Sequence, residues 1–485
     1  MKQILDVIRQ GASSVMTERE FLEKEIAAWK ATEKRKWQID GERYYNYDHD
    51  ILKRKRKAIG KDGKLTEVKN LPNNRIIDNQ YAKAVDQKTN YSLAKPFTVD
   101  TDNDEYAKHL RAIFNNKFRR TLKHVGRDSI NGGLGWIHPY YGNSGKLKFK
   151  KFSPWEIIPF WKDADHTELD AFIRIYSVSA YEGKKEMKIE KVEYYHSKGI
   201  NFYVLSRGEL IDDVERPSRS HFSAKTSGKQ IPLNWNRIPL VAFKYSDKEI
   251  SLLKRVKGLQ DGINDILSDF KNNMQEDTRN TILVLTNYDG TNLGEFRHNL
   301  SEYGVVKVQN INGSAGGLST LTIEVNSENY KAILEILKKA LIENAKALDA
   351  KDDRLGSNAN QMNIQSMYSD LDLDANSMEL EFSAAFEDLL WFINMDLSNN
   401  GKGDFSDEAV KIVFNRDIMI NESKIIEDIN NSSDMLSQET LLAKHPFVDD
   451  PKEEIKRIEA EKKKEQSEMD EYKNAFNKGG DVNEE

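Results

Sequence analysis

Apolar residues recur at steps of three and four through most of the first 130 residues, and that period predicts helices. Charged amphipathic runs occupy 17–38 and 75–93, and a third at 104–130 places Leu110, Ile113, Phe114, Phe118 and Leu122 on one face. Between the first two lies LKRKRKAIGKDGKL at 52–65, whose Lys61-Asp62-Gly63 turn chemistry predicts a solvated loop or a short hairpin. From 132 to 245 the period changes. Short segments rich in Tyr, Phe, Ile and Val, among them GWIHPYY, FIRIYSV, KVEYYH and FYVLS, are separated by Gly, Pro and charged turns and predict antiparallel strands.

After Pro239 the helical period returns, with Leu252, Val256, Leu259, Ile263, Ile266, Phe270 and Met274 on one apolar face. TILVLTNYDG at 281–290 reads as a strand and turn, VVKVQNINGSAGG at 305–317 as a strand and flexible loop, and LTIEV at 321–325 as a further strand. A small β-containing module is thus inserted between two helices. The second helix runs through Tyr330, Leu334, Leu337, Leu341, Ala345 and Leu348 and stops in DAKDDRLGSNAN at 349–360, a loop by composition. Beyond it Ile364, Tyr368, Leu371, Ala375, Met378, Phe382, Ala385, Leu389 and Phe392 continue in steps of four and three. A helix of about 30 residues is about 45 Å long at 1.5 Å per residue, so something extended must receive its seam. SNNGKGD stops it, AVKIVFN at 409–415 predicts a strand, and 421–443 and the stretch from Pro451 to about Phe476 predict helices before an acidic end with the composition of disorder. No internal repeat of fixed period is present.

A chain of 485 residues with 38% hydrophobic and 31% charged residues is long enough for two to four domains, at roughly 100–200 residues each. Lys+Arg 73 against Asp+Glu 79 leaves a formal charge of -6, which is not the footprint of a protein that grips phosphates tightly. With no cysteine, disulfides, thiolate metal sites and thiol nucleophiles are excluded, and a reducing compartment is expected. MKQILDVIRQ has no apolar core and nowhere do 18 apolar residues run together, so neither export nor a membrane anchor is expected.

Catalytic motifs are few. Gly60-Lys61 and Gly228-Lys229 lack the upstream glycine and the Ser or Thr of a phosphate loop, and the nine histidines form no HxxxH pair. His49, between Asp48 and Asp50, reads as part of a solvated polar turn rather than a ligand. Asp370, Asp372, Asp374, Asn376 and Glu381 have the spacing of a calcium loop, but Ala375 stands where glycine is needed and the apolar seam runs straight through. An acidic helix face is the favoured reading; a nuclease using Asp370, Asp372 and Glu381 as metal-binding carboxylates is the distant alternative. Trp155, Phe160 and Trp161 have no basic cluster around them and read as core rather than as a base-stacking platform.

Read in order, several stretches resemble the portal protein family of tailed bacteriophages, in the branch found in long non-contractile-tailed phages of Gram-positive hosts. NNRIIDNQYAKAVDQKTNYSLAKPFTV at 73–99 is similar to the family's V-D-x-K-x-x-Y-x-x-G-K-P-F segment, with Ala94 in place of the usual glycine. IPLNWNRIPLVAFK at 231–244, ILSDFKNNMQEDTRNTILVLTNYDG at 266–290 and DDRLGSNANQMNIQSMYSDLDLDANSMELEF at 352–382 follow in the family's order. The long helix departs from the family, carrying Gln365, Met367, Asp374 and Glu381 near positions where basic residues are common.

The resemblance implies a helix-rich α+β portal fold with clip, stem, wing and crown, assembled as a dodecameric ring around a DNA channel. On this reading 1–250 is the N-terminal wing, helical over 1–131 and β-rich over 132–245. The stem helices are 251–278 and 326–348, the clip is 279–325, the tunnel loop 349–362, and the long wing helix with its strand 363–420. Crown helices occupy 421–478 and a disordered tail 479–485. The candidate channel residues are Lys338, Lys346, Lys351, Arg354, Gly356, Ser357, Asn358 and Asn360; the candidate partner contacts of the clip are Asn287, Tyr288, Asp289, Arg297 and Asn312.

The implied function is the portal vertex through which double-stranded DNA is packaged and later ejected, without catalysis, metal or cofactor. The implied partners are further copies of the chain, the terminase large subunit, a head–tail connector or adaptor, and scaffolding and major capsid proteins. The implied location is the virion, and the host cytoplasm during assembly. A non-catalytic oligomeric scaffold or secretion-type ring is the alternative, separated by whether a ring with a duplex-sized hole forms. A conduit needs weak, smeared charge. Lys331, Lys338, Lys339 and Lys346 mixed with Glu328, Glu335 and Glu343 fit that requirement.

Overall fold

The computed structural model describes residues 16–59, 64–68, 71–226, 229–277, 282–286, 310–311, 314–315, 317–321, 327–349, 361–416, 422–448 and 450–478. Their α-helices are α1 (Glu18–Ala31), α2 (Glu33–Tyr45), α3 (Gln80–Leu93), α4 (Asp104–Ile113), α5 (Asn116–Gly132), α6 (Leu252–Asp277), α7 (Ser327–Asn344), α8 (Gln361–Asn399), α9 (Glu422–Asn431), α10 (Gln438–Lys444) and α11 (Pro451–Lys478). With the strands below they make a mixed helix and sheet protein of the α+β class.

Three of the expected helical runs divide at capping side chains. Thr32 ends α1 with its hydroxyl on the Trp29 carbonyl and accepts from the Arg35 amide as α2 begins. Asn115 accepts from the Lys117 and Phe118 amides and so starts α5 just past α4. The run at 421–443 separates into α9 and α10, with Ser437 capping the latter. The basic stretch at 52–65 is in part a hairpin, Lys57–Ile59 pairing with Leu65–Glu67.

The described residues of Met1–Glu42, Ala84–Lys254 and Lys346–Glu485 form one compact unit. Its centre is a five-stranded antiparallel meander from Ile157–Trp161 through Leu169–Glu182, Lys185–His196 and Gly199–Ser206 to Glu209–Asp212. Alternation along the strands sends Ile173, Ile175, Val192 and Tyr203 to one face, where Leu22 and Ile26 of α1 cover them. Phe172, Tyr195 and Phe202 go to the other, against Leu134, Trp136 and Phe152 of a three-stranded sheet. Phe160 is core on the α1 side, and Trp161 stacks on His166 at 4.9 Å.

Helix α8 has 39 residues, about 58 Å at 1.5 Å per residue, longer than the seam alone suggests. Its seam from Tyr368 to Phe392 is buried, with Phe382 against Phe243 at 5.1 Å and Phe386 against Phe97 at 5.2 Å. Gly133, at φ +87, ends α5; a Cβ there would lie 2.1 Å from the Glu249 carbonyl oxygen, so only glycine fits this turn.

Residues Arg43–Lys83 and Arg255–Ala345, where described, form the second unit. Helices α6 and α7 run antiparallel, Phe270 meeting Tyr330 at 4.9 Å and Gly262 lying near Leu337. Strands Ile282–Thr286 and Gly317–Leu321 pair antiparallel; of the expected strand 321–325 only Leu321 lies among the described residues. His49 is a correction: it is fully buried, stacked on Tyr44, with one ring nitrogen at the Tyr44 carbonyl and the other at the Asn264 amide. A buried ring between two hydrogen-bonding groups replaces the solvated turn.

Candidate functional site

Residues Lys351, Arg354, Gly356, Ser357, Asn358 and Asn360 lie outside the described residues, as do Asn287, Tyr288, Asp289, Arg297 and Asn312 and the tail at 479–485. The described part of this candidate site is the pair of roots from which the 350–360 segment leaves and returns. At the first root Lys346 takes a left-handed conformation, φ 50, just after α7. Its carbonyl accepts from Lys88 Nζ at 3.1 Å, and the Leu348 carbonyl accepts from Gln87 Nε2 at 3.0 Å.

The second root leads into α8, and the same face of α3 holds that helix about two to four turns past Gln361. Lys88 Nζ lies 2.7 Å from Asp374 Oδ2, with the side chains only 3% and 10% exposed. Tyr245 donates its hydroxyl to that oxygen at 2.5 Å, and Lys346 Nζ stands 3.5 Å from the other. Tyr91 donates to Asp372, which also receives Arg416 at 2.6 Å; the rest of the Arg416 fork grips Glu379 at 3.0 and 2.9 Å. Tyr91, Tyr368, Leu371 and Ala375 form one buried cluster, and Leu348 packs on it. Gln87, Lys88 and Tyr91, one helical turn of α3, therefore anchor both roots.

Burial raises the Asp374 carboxyl, but Lys88, Tyr245 and Lys346 together outweigh it and hold the group below its ordinary range. Arg416 is held above its ordinary range, first by its hydrogen bonds to Glu379 and then, against burial, by Asp372. The acidic run is helix throughout, as the favoured reading expects, and Asp372 and Asp374 turn inward from it onto cations. Among the described residues no group of three or more His, Asp or Glu side chains is placed to hold a metal.

In the second unit the candidate Lys338 is engaged with Asp78, Nζ to Oδ2 at 2.6 Å. Asp78 belongs to an irregular segment that α6 holds by its backbone. Asn272 Oδ1 accepts from the Asn74 amide at 2.7 Å, Ser268 Oγ from Ile76 at 2.9 Å, Asn264 Oδ1 from Asp78 at 3.1 Å and Gln260 Oε1 from Tyr81 at 2.9 Å. Four residues of helix rise about 6.0 Å, close to the advance of about 6.6 Å for two extended residues, so Asn272, Ser268 and Asn264 meet every second amide, and Gln260 then meets Tyr81 in the first turn of α3. All four side chains are fully buried. Sequence reasoning followed the apolar face of α6 and missed this one, although uncharged Gln260, Asn264, Ser268 and Asn272 at steps of four were its signal.

The class comes from the sequence comparisons, which place the chain among phage assembly proteins. Residues 28–468 match the family model described as phage portal protein, SPP1 Gp6-like, and the chain belongs to that family. It is 30% identical over 426 residues to the portal protein of Bacillus phage SPP1, covering 87% of this chain and 83% of that protein. To the portal protein of Clostridium phage phiCD119 it is 29% identical over 452 residues, covering 90% and 95%. Portals are structural, non-catalytic virion proteins whose known function is the DNA-packaging channel. No helix among the described residues is long and apolar enough to cross a membrane.

Proposed function

We propose that twelve copies of the chain close into a ring around a channel at one capsid vertex. Double-stranded DNA passes inward through it during packaging of the procapsid and outward at ejection. In this reading α6 and α7 are the stem, 279–325 the clip that meets the terminase large subunit and later the head–tail connector, and 349–362 the tunnel loop. The β-rich segment 132–245 and α8 belong to the wing, and α9 to α11 to the crown, with scaffolding and major capsid proteins around them. The chain works in the host cytoplasm during assembly and in the virion afterwards, and catalyses nothing itself.

The observation that carries this reading is the anchorage of both roots of the loop on one turn of α3. A loop that lines a conduit for a sliding polyanion needs fixed ends and a compliant middle, and the sequence Gly356-Ser357-Asn358 has the composition such a middle calls for. Lys338 and Lys346 each face a carboxylate, so the charge they present is attenuated, as a conduit without deep phosphate wells requires. The test is native mass and averaged images down the symmetry axis. A ring of about twelve times 55.9 kDa with a duplex-sized hole is expected, and a closed dimer without one would overturn the reading. Replacing Lys346, Lys351 and Arg354 with Ala should change DNA packaging or retention while leaving the ring intact.

A further inference from the structure

Helix α8 carries a second seam, on the side turned away from its core contacts. Leu373 and Leu380, two turns apart, are 63% and 73% exposed, and exposed Ser369, Ser377 and Ala384 complete a row stepped by three and four. Leucines this exposed, spaced as a helix-packing seam, form an unpartnered helix face. On one flank stand Asp370 and Glu381, three turns apart, and Asp388 two turns further on. Asp370 and Glu381 have no cation within ion-pair distance among the described residues, while Asp388 reaches Arg237 at 3.4 Å.

Helix α5 presents the complementary chemistry. Lys117, Arg120, His124 and Arg127 follow at steps of three and four, with Lys123 beside them. Lys117, Arg120 and Lys123 have no carboxylate within ion-pair distance among the described residues. Burial first, and then Arg127, Lys151, Arg120 and Lys123, hold the His124 imidazole below its ordinary range, a measure of how one-signed this surface is. The two helices touch through Phe118 and Phe386, centroids 6.2 Å apart, and through Gly126 beside Met378, so each turns its exposed stripe away from the other.

We infer that the Leu373–Leu380 seam of α8, with its acidic flank, docks the basic stripe of α5 from a second copy of this chain. The two faces are different and complementary, so the contact is head-to-tail, and a head-to-tail contact that repeats by rotation closes into a ring. This rests on the ring reading above and names the faces that would build it. Opposite charges steer the encounter and fix the register, and the two leucines supply the dehydrated centre.

Two charge reversals in the full chain test it, K117E/R120E/K123E on α5 and D370K/E381K on α8. Each alone should fail to form rings at physiological salt while melting as the wild type does. An equimolar mixture should recover rings, because the acidic α5 of one variant meets the basic α8 of the other. L373S/L380S should raise the concentration for half-assembly by about tenfold or more. Rings that persist in both reversals, or a mixture that stays unassembled, would overturn the inferred faces and leave the channel reading standing. A wild-type chain that forms no ring would sink both.

Discussion

Residues 74–81, irregular as far as Asn79, are held against α6 through neutral side chains, whereas the roots of the 350–360 segment, one irregular and the other α8 itself, are held through charged ones. The neutral contacts are spread over three turns and directional, one acceptor for one amide, so each contributes modestly and loss of one leaves the others in register. The charged contacts converge on Asp374 and Asp372, and a buried ion pair is stable only while both members are present. A rail tolerates damage, whereas a hub does not. On the proposed reading that division suits a channel protein: the helix pair proposed as the stem keeps its shape through redundancy, and the roots of the 350–360 segment are fixed at a few strong points.

The largest effect should follow from breaking the hub. Asp374→Ala strands Lys88, 3% exposed, beside an unneutralised pocket, and the cost should be about 3–5 kcal/mol in urea unfolding. Replacing both members, Lys88→Met with Asp374→Leu, should recover most of it, since no charge is then buried. The pH dependence has a fixed sign. The Asp374 carboxyl is held below its ordinary 3.8, so its contribution is fully present above that value and is lost as pH falls through the folded-state value. The stability gap between the wild type and Asp374→Ala should therefore narrow as pH falls below about 4. A gap that stays constant as pH falls from about 7 to about 2 would remove the ion pair as its source.

Breaking one rung of the rail should cost less. Asn264→Leu leaves the Asp78 amide and a His49 ring nitrogen buried without partners, at about 2 kcal/mol. The informative reading is local: hydrogen exchange at Asp78 should speed by about thirtyfold, while Ile76, held by Ser268, keeps most of its protection. If both amides lose protection together, the rungs act as one unit and the contrast with the hub disappears.

What the sequence made legible was the periodic part. The seam of α8 from Tyr368 to Phe392, the apolar side of α6 at Val256 and Ile263, and the β texture of 132–245 follow from burial of one face, which writes itself into residue spacing. Caps were written too: Thr32 and Asn115 are ordinary helix-breaking types that were passed over inside longer amphipathic runs. The site was less legible for a physical reason. Lys88 and Asp374 are 286 positions apart, and nothing local tells a buried lysine from a solvated one. The motif at 85–97 was recognisable as a pattern, yet its reason, that Lys88 and Tyr91 hold the two ends of a distant loop, exists only in three dimensions. The rail shows the reverse failure, a local signal at steps of four that an apolar reading discards.

The smallest effect separates structure from conduit. Lys338 and Asp78 are 36% and 27% exposed, so water competes for both, and Lys338→Met should change stability by less than about 1 kcal/mol despite an Nζ to Oδ2 distance of 2.6 Å. Stability alone therefore says little about this lysine. If it serves only to fasten Asp78 to α7, packaging by Lys338→Met portals should match the wild type at every ionic strength. If it leaves Asp78 for passing phosphates, packaging should change most at low salt and converge with the wild type as screening rises, because an exposed charge acts over a Debye length of about 10 Å at 0.1 M and far less at 1 M. The salt dependence at unchanged stability then assigns Lys338 to the DNA, and its absence assigns the residue to the rail.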